Sequence, residues 1–266
     1  MIGEVFRGTW VIAYRELLRF VQERSRMLSS FGMPILFLII FGAGFNRIVG
    51  TLTPGVDFIK FIYPGIVAMT VLMTSVFSGL SVVWDREFGF LKEVLVAPLS
   101  RIGIVLGKAS GAAVVATIQG FIMIVLAPIV GITVTPGLLV KVLPLLIIIS
   151  LCLSGLGILI ASWMRSQQGF HIVVQLIVFP LIFLSGIFFP VNDVPPWLQV
   201  ISKANPLTYG VDAIRQVFLG GNQGGNPAIG ITLFGHTMTV LEDVIVIGIL
   251  GVVLISAASW SFSRQE

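Results

Sequence analysis

Six long stretches almost free of charge, residues 27–45, 61–83, 104–132, 138–164, 169–191 and 244–262, limit what this chain can fold into. A helix rises about 1.5 Å per residue and a bilayer's hydrocarbon slab is about 30 Å thick, so roughly 20 apolar residues make one crossing. Each stretch reaches or approaches that length. Their flat apolar pattern predicts helices, because the strands of a membrane barrel are about ten residues long and alternate in polarity. Composition agrees: 56% of the 266 residues are hydrophobic and 11% charged, against about 25% charged in soluble domains. Too little polar surface remains to cover a water-soluble core. The expected fold is an all-α polytopic membrane protein with six transmembrane helices.

Lys and Arg set the orientation. With both termini cytoplasmic, 11 basic residues fall on the inner side and 5 on the outer (Arg47, Lys60, Lys141, Lys203 and Arg215), as the positive-inside rule asks. The expected location is the cytoplasmic (plasma) membrane, multi-pass. The +4 net charge then needs no nucleic-acid partner. The first apolar run comes after five arginines and offers no small-residue cleavage site, so no removable signal peptide is read. One transmembrane domain, 1–266, is expected. It divides into an interfacial helix at 4–26, spans one to five with an inner linking helix at 84–98 across 27–191, outer helices and a loop at 192–243, and span six at 244–262.

At 100° per residue, Phe6, Trp10, Ala13, Tyr14, Leu17 and Val21 share one face of the first helix, and Arg15, Arg19, Glu23 and Arg26 the opposite one. Such a helix lies along the membrane surface, rings in the acyl boundary and guanidinium groups among phosphates. On the outer side, Pro195, Pro196 and Trp197 open a short amphipathic turn and Asn205-Pro206 restarts the chain. The segment from Asn205 onward reads as short helices dipping into the outer leaflet between spans five and six. There Asp212 and Arg215, three residues apart, either pair or gate an exit; an unmatched charge at the leaflet edge is expensive, which favours the pair.

Several chemistries are missing. The single cysteine, Cys152, excludes a disulfide framework, a cysteine-based zinc site and an iron–sulfur cluster. His171 and His236 have no metal-binding spacing. No acidic residue lies well inside a span, which disfavours an ion-coupled carrier. The run GIVLGKAS, residues 103–110, fails as a phosphate loop: its glycines are too close, and Ala109 stands where a hydroxyl must reach magnesium. In the membrane, Gln119, His171 and Gln175 are candidates for a substrate path, and the two amides fit helix–helix hydrogen bonding at least as well.

The inner link reads WDREFGFLKEVLVAPLSR from Trp84 to Arg101. Helical spacing puts Trp84, Phe88, Leu91 and Leu95 in one stripe among Asp85, Arg86, Glu87, Lys92 and Glu93, and Pro98 ends the helix. Gly89 either permits close packing or loosens the turn. A short helix, apolar on one side and tied to two spans, marks a contact with another protein; lying on the inner leaflet is the alternative.

This link, with VAPLSR and the subsequent Gly107-Lys108, resembles the signature segment of ABC type-2 transporter permeases, closest to the drug- and lipid-exporting branch typified by daunorubicin-resistance exporters. LSGIFFPVNDVPPW (184–197) and NPLTYGVDAIRQ (205–216) are similar to that branch's span-five end and outer helices. Phe90-Leu91-Lys92 departs from more distant members, which carry a small residue and an acid there. The resemblance implies a permease subunit of an exporter for a hydrophobic or amphipathic compound (drug, lipid or glycolipid). It implies a homodimer that recruits two copies of an ATP-binding-cassette ATPase, with ATP and Mg on that partner and no cofactor in this chain. It makes 84–98 the coupling helix. Arg86, Glu87 and Lys92 become the expected ATPase contacts, and Trp84, Phe88, Gly89, Leu91, Leu95 and Pro98 the frame that presents them. The alternatives are an ion-coupled secondary exporter and, with less support, an intramembrane enzyme using His171.

Overall fold

A computed structural model describes residues 2–22, 30–42, 44, 58–88, 101–219, 230–233 and 235–264. Within them the chain forms α1 (Ile2–Gln22), α2 (Ser30–Gly42), α3 (Phe58–Phe77), α4 (Leu80–Glu87) and α5 (Arg101–Leu126). It continues through α6 (Pro136–Trp163), α7 (Gln167–Phe183), α8 (Pro196–Ala204), α9 (Pro206–Phe218) and α10 (Val240–Ser263). The expectation of an all-helical chain needs one small amendment: Thr232–Leu233 and His236–Thr237 pair as a minimal antiparallel hairpin, β1 and β2.

The helix starts obey local chemistry. Thr135 and Ser166 accept the backbone N–H groups of Leu138 and Gly169, and Pro136 sits at the first position of α6, where its missing N–H costs nothing. Thr239 and Glu242 form a reciprocal capping box at the start of α10. Asn205 caps α9 through the Leu207 N–H, and its amide also donates to the Leu181 carbonyl at 2.7 Å. That second bond ties the outer helices to the end of α7.

Among the described residues, four helices are long and apolar enough to cross a bilayer: Phe58–Glu87, counted through the turn at Ser78-Gly79, Ile102–Val130, Pro136–Trp163 and Val240–Phe262. Ser30–Gly42 and Gln167–Phe183 are apolar but shorter. The stretch expected over 169–191 ends as a helix at Phe183; past it the chain turns through Gly186 in the left-handed region, φ 76°. The last helix begins at Val240, four residues before the expected 244, because Thr239 caps it.

The core is centred on α3. Seventy-two per cent of the apolar window in the α3–α4 stretch, Phe58–Glu87, is buried, against 17% in α10, whose Leu241, Ile249 and Val252 face outward. Around α3 pack α5, α6 and α9; α10 lies on α6, and α1 lies along α5. An aromatic cluster (Phe37 and Phe41 of α2 with Phe183 and Phe188) joins α2 to the end of α7. One end of the bundle gathers α4 and its charged last turn, the start of α5, the α6–α7 turn and the end of α10. The opposite end gathers α8, α9 and the hairpin.

Candidate functional site

Successive residues on a helix point about 100° apart, so the last turn of α4 reaches in several directions at once. Residues 84–87 continue α4 rather than begin a separate helix, and Phe88 is its C-cap. The Arg86 guanidinium donates to the carbonyls of Ser162 (3.0 Å) and Met164 (2.6 Å), satisfying the exposed end of α6. Glu87 accepts the Gln167 N–H at 3.3 Å at the start of α7. Trp84 lies under the Arg19 guanidinium, 4.4 Å from its ring centre. Phe88 is 70% exposed at the end of the bundle. Gly89, Leu91, Lys92, Leu95 and Pro98 lie outside the described residues.

Asp85, one of the five charges around the apolar stripe of the link, is the hub of this end. Its carboxylate accepts from Lys108 Nζ at 2.7 Å and from Arg15 Nη2 at 3.2 Å. Lys108 also reaches Ser81 Oγ at 3.0 Å and Glu16 at 3.3 Å. The Asp85 and Lys108 side chains are only 8% and 5% exposed, so the pair carries a large desolvation penalty offset only while both partners remain. Arg15, and Arg19 over Trp84, therefore face α4 rather than extending only toward lipid phosphates. Outward from α1 point Trp10, Val11, Tyr14, Leu18 and Val21.

A glycine seam allows this approach. Gly103, Gly107 and Gly111 recur every fourth residue on one face of α5. A Cβ on Gly107 would stand 2.7 Å from Ile12 Cβ, and one on Gly111 2.9 Å from Glu16 Cβ; the Gly103 carbonyl accepts the Thr9 hydroxyl at 3.4 Å. Small residues at this spacing let helix backbones close on each other. The run that fails as a phosphate loop is half of a helix–helix joint.

Gln119 is buried and cross-links three helices: its amide donates to Ser30 Oγ at 2.6 Å and its carbonyl accepts the Thr74 hydroxyl. Gln119 and His171 line one cavity of about 380 Å³ between α1, α2, α3, α4, α5 and α7. Gln175, exposed one turn beyond His171, is not among its walls.

At the other end, Asp212 and Arg215 share α9 but spend their hydrogen bonds elsewhere. Arg215 donates to the carbonyls of Gly186 (2.7 Å), Ile187 (3.4 Å) and Phe61 (3.3 Å) and stacks 4.0 Å over the Phe61 ring. Asp212 accepts from the Ile231 N–H (2.8 Å) and Gln216 (3.1 Å), and Gln216 also reaches Asp243 at 3.3 Å. The expected ion pair is a through-space attraction, not a hydrogen-bonded contact. Burial pushes the Asp212 carboxyl up from its ordinary range and holds the Arg215 guanidinium down at about 10.

Residues 7–219, from α1 through α9 and including both signature blocks, match the model of the ABC-2 type transporter family. The chain belongs to that family. This ABC-2 permease is similar to the putative transport permease ycf38 of Cyanophora paradoxa, 34% identical over 208 residues, 75% of this chain and 71% of that protein. It is also similar to nodulation protein J of Rhizobium meliloti, 31% identical over 198 residues covering 74% and 75% of the two chains. The probable multidrug ABC transporter permease YbhR of Escherichia coli is 35% identical over 167 residues, 62% of this chain and 45% of that protein. ABC-2 permeases are integral membrane transport subunits rather than enzymes, and their ATPase is a separate subunit.

Proposed function

We propose that this permease is the membrane-spanning subunit of an ATP-driven exporter that carries a hydrophobic or amphipathic compound (drug, lipid or glycolipid) out across the cytoplasmic membrane. In this reading α2 and α7 complete six crossings, and both termini are cytoplasmic. Two copies of the chain form the pore, and two ATPase copies bring ATP and magnesium. Residues 84–98 seat on the ATPase as the coupling helix, with Lys92 among the contacts. Asp212 and Arg215 brace the outer exit.

The observation that carries the reading is the way the last turn of α4 is held. Arg86 and Glu87 grip the α6–α7 turn, and Asp85 grips α1 and α5. A push on the segment after Phe88 therefore enters four other helices directly. Nucleotide binding to a partner shifts the membrane arrangement only through its different affinity for the two states, and such a frame supplies the mechanical route. The name of the Escherichia coli relative, a multidrug permease, favours a drug-like substrate class.

The test is reconstitution with the cognate ATPase in proteoliposomes and a screen for compounds that stimulate ATP hydrolysis. The reading expects amphipathic compounds to stimulate hydrolysis and to move only when ATP is present. Full-rate movement by the permease alone, driven by a proton gradient, would overturn it.

A further inference from the structure

The end of the bundle that gathers α8, α9 and the hairpin buries two carboxyl groups side by side. Asp212 of α9 is 3% exposed, and Asp243, in the first turn of α10, is fully enclosed. One amide joins them: Gln216 Nε2 donates to Asp212 Oδ2 at 3.1 Å and to Asp243 Oδ2 at 3.3 Å. The same nitrogen serves the Met238 carbonyl at 3.0 Å, so its two hydrogens are spread over three acceptors. The two carboxyls also come within hydrogen-bonding reach of each other. Ionised carboxylates only accept, so between two anions that contact holds repulsion and no bond.

The surrounding charges do not balance two anions. Arg215, itself buried, is the cation that faces Asp212, and its own hydrogen bonds go to the carbonyls of Phe61, Gly186 and Ile187. One guanidinium against two carboxylates leaves a net negative charge sealed from water, which is expensive. The neighbouring groups do not supply the difference. Tyr209 gives its hydroxyl to the Lys203 carbonyl at 2.6 Å. Glu242 adds another acid beside Asp243, and His236 is engaged with Glu242 at 3.2 Å. Lys60 of α3, Lys141 of α6, Asp193 and Lys203 make no hydrogen bond or ion pair with either acid. The Ile231 N–H, at the foot of the hairpin, donates to Asp212 Oδ2 at 2.8 Å. Asp243 Oδ1 is left buried with no hydrogen-bond partner, a condition that folded proteins rarely tolerate.

From this geometry we infer that Asp212 and Asp243 hold one proton between them, and that this proton latches the start of α10 and the hairpin to α9. Protonation of either acid makes one carboxyl oxygen a donor to the other and, with Arg215, brings the buried charge to zero. The proton belongs to the pair rather than to one residue. When the latch opens, water reaches both acids, both ionise and the proton leaves to solvent. Alkaline medium on that face therefore favours the open latch, and acid medium the closed one. The inference is independent of what the permease carries.

The test is amide hydrogen exchange of the full-length permease in nanodiscs, read by mass spectrometry and corrected for the intrinsic exchange rate at each pH. One proton released per opening predicts that protection over residues 231–243 falls about tenfold per pH unit between about pH 6 and about pH 8, while α3 is unchanged. Asp212→Asn and Asp243→Asn each leave one carboxylate to balance Arg215, and each makes this protection independent of pH. Infrared spectra at neutral pH add a direct reading. The parent chain shows the carbonyl band of a protonated carboxylic acid, shifted by deuterium, and both variants lose it. Protection that ignores pH in the parent chain overturns the proposal, as does a slope or a band that survives both substitutions. If sodium or calcium ions restore protection at high pH, a metal cation occupies the space between the carboxyls and the proton assignment fails. Should one variant not fold, the parent slope and the other variant still decide.

Discussion

Removing the Lys108 ammonium strands the Asp85 carboxylate among apolar neighbours with only Arg15 left to answer it. Lys108→Met is expected to cost about 3–5 kcal/mol, the penalty for breaking a buried pair from one side. Adding Asp85→Leu restores much of the loss, because no uncompensated charge then remains buried; thermal unfolding in detergent measures both. At the opposite end the titration of Asp212 matters. Its folded-state value is raised above the ordinary 3.8, so between that value and the raised one the folded state holds more protons than the unfolded state. Stability therefore falls as pH rises through this window. Asp212→Asn keeps an acceptor for the Ile231 N–H and flattens the decline, read as unfolding temperature against pH. Neither role is legible in the sequence. Asp85 stands there as one of five charges around a short apolar stripe, and its partners come from 70 and 23 residues away. The expected partnership of Asp212 with Arg215 uses their three-residue spacing, which says nothing of the distant carbonyls at Gly186 and Phe61.

Elements are easier to read from sequence than contacts. Long apolar runs, Pro at helix starts and Thr or Ser caps announce where helices lie, because those signals are local. What each helix leans on is not local, and so the four-residue glycine spacing of α5 reads on its own as a failed nucleotide loop rather than as a surface for α1. The seam makes its own prediction. Gly107→Leu drives a side chain into Ile12, at about 1–3 kcal/mol of overpacking cost, and lifts α1 away from α5. Trypsin should then cut after Arg15 and Arg19 faster than in the parent chain, while α3 and α6 stay protected. Unchanged cleavage would mean that α1 is held by its polar bonds alone.

For the molecule as a whole, the family and the membrane class are readable from two sequence blocks in register on an apolar chain, and the match over 7–219 bears this out. The segment proposed to seat on the ATPase is readable only as a location. Its charges Arg86 and Glu87 have partners inside the bundle, which no periodicity discloses. Arg86→Ala is expected to free the α6–α7 turn. In the reconstituted complex the ATPase should still co-purify, while compound-stimulated hydrolysis drops about tenfold, the equivalent of one charge-assisted hydrogen bond. Loss of co-purification would instead place Arg86 in the joint between subunits.

The pinning of α1 has a further mechanical result. Its outward rings and aliphatic groups track the level of whatever they rest in, while Arg15 and the glycine seam fasten its other side to α4 and α5. Bilayer thickness and lateral pressure thus arrive at the Trp84–Phe88 turn by a short sideways route that bypasses the long helices. Turnover of the assembled pump should accordingly vary with acyl-chain length even when the transported compound and nucleotide are held constant.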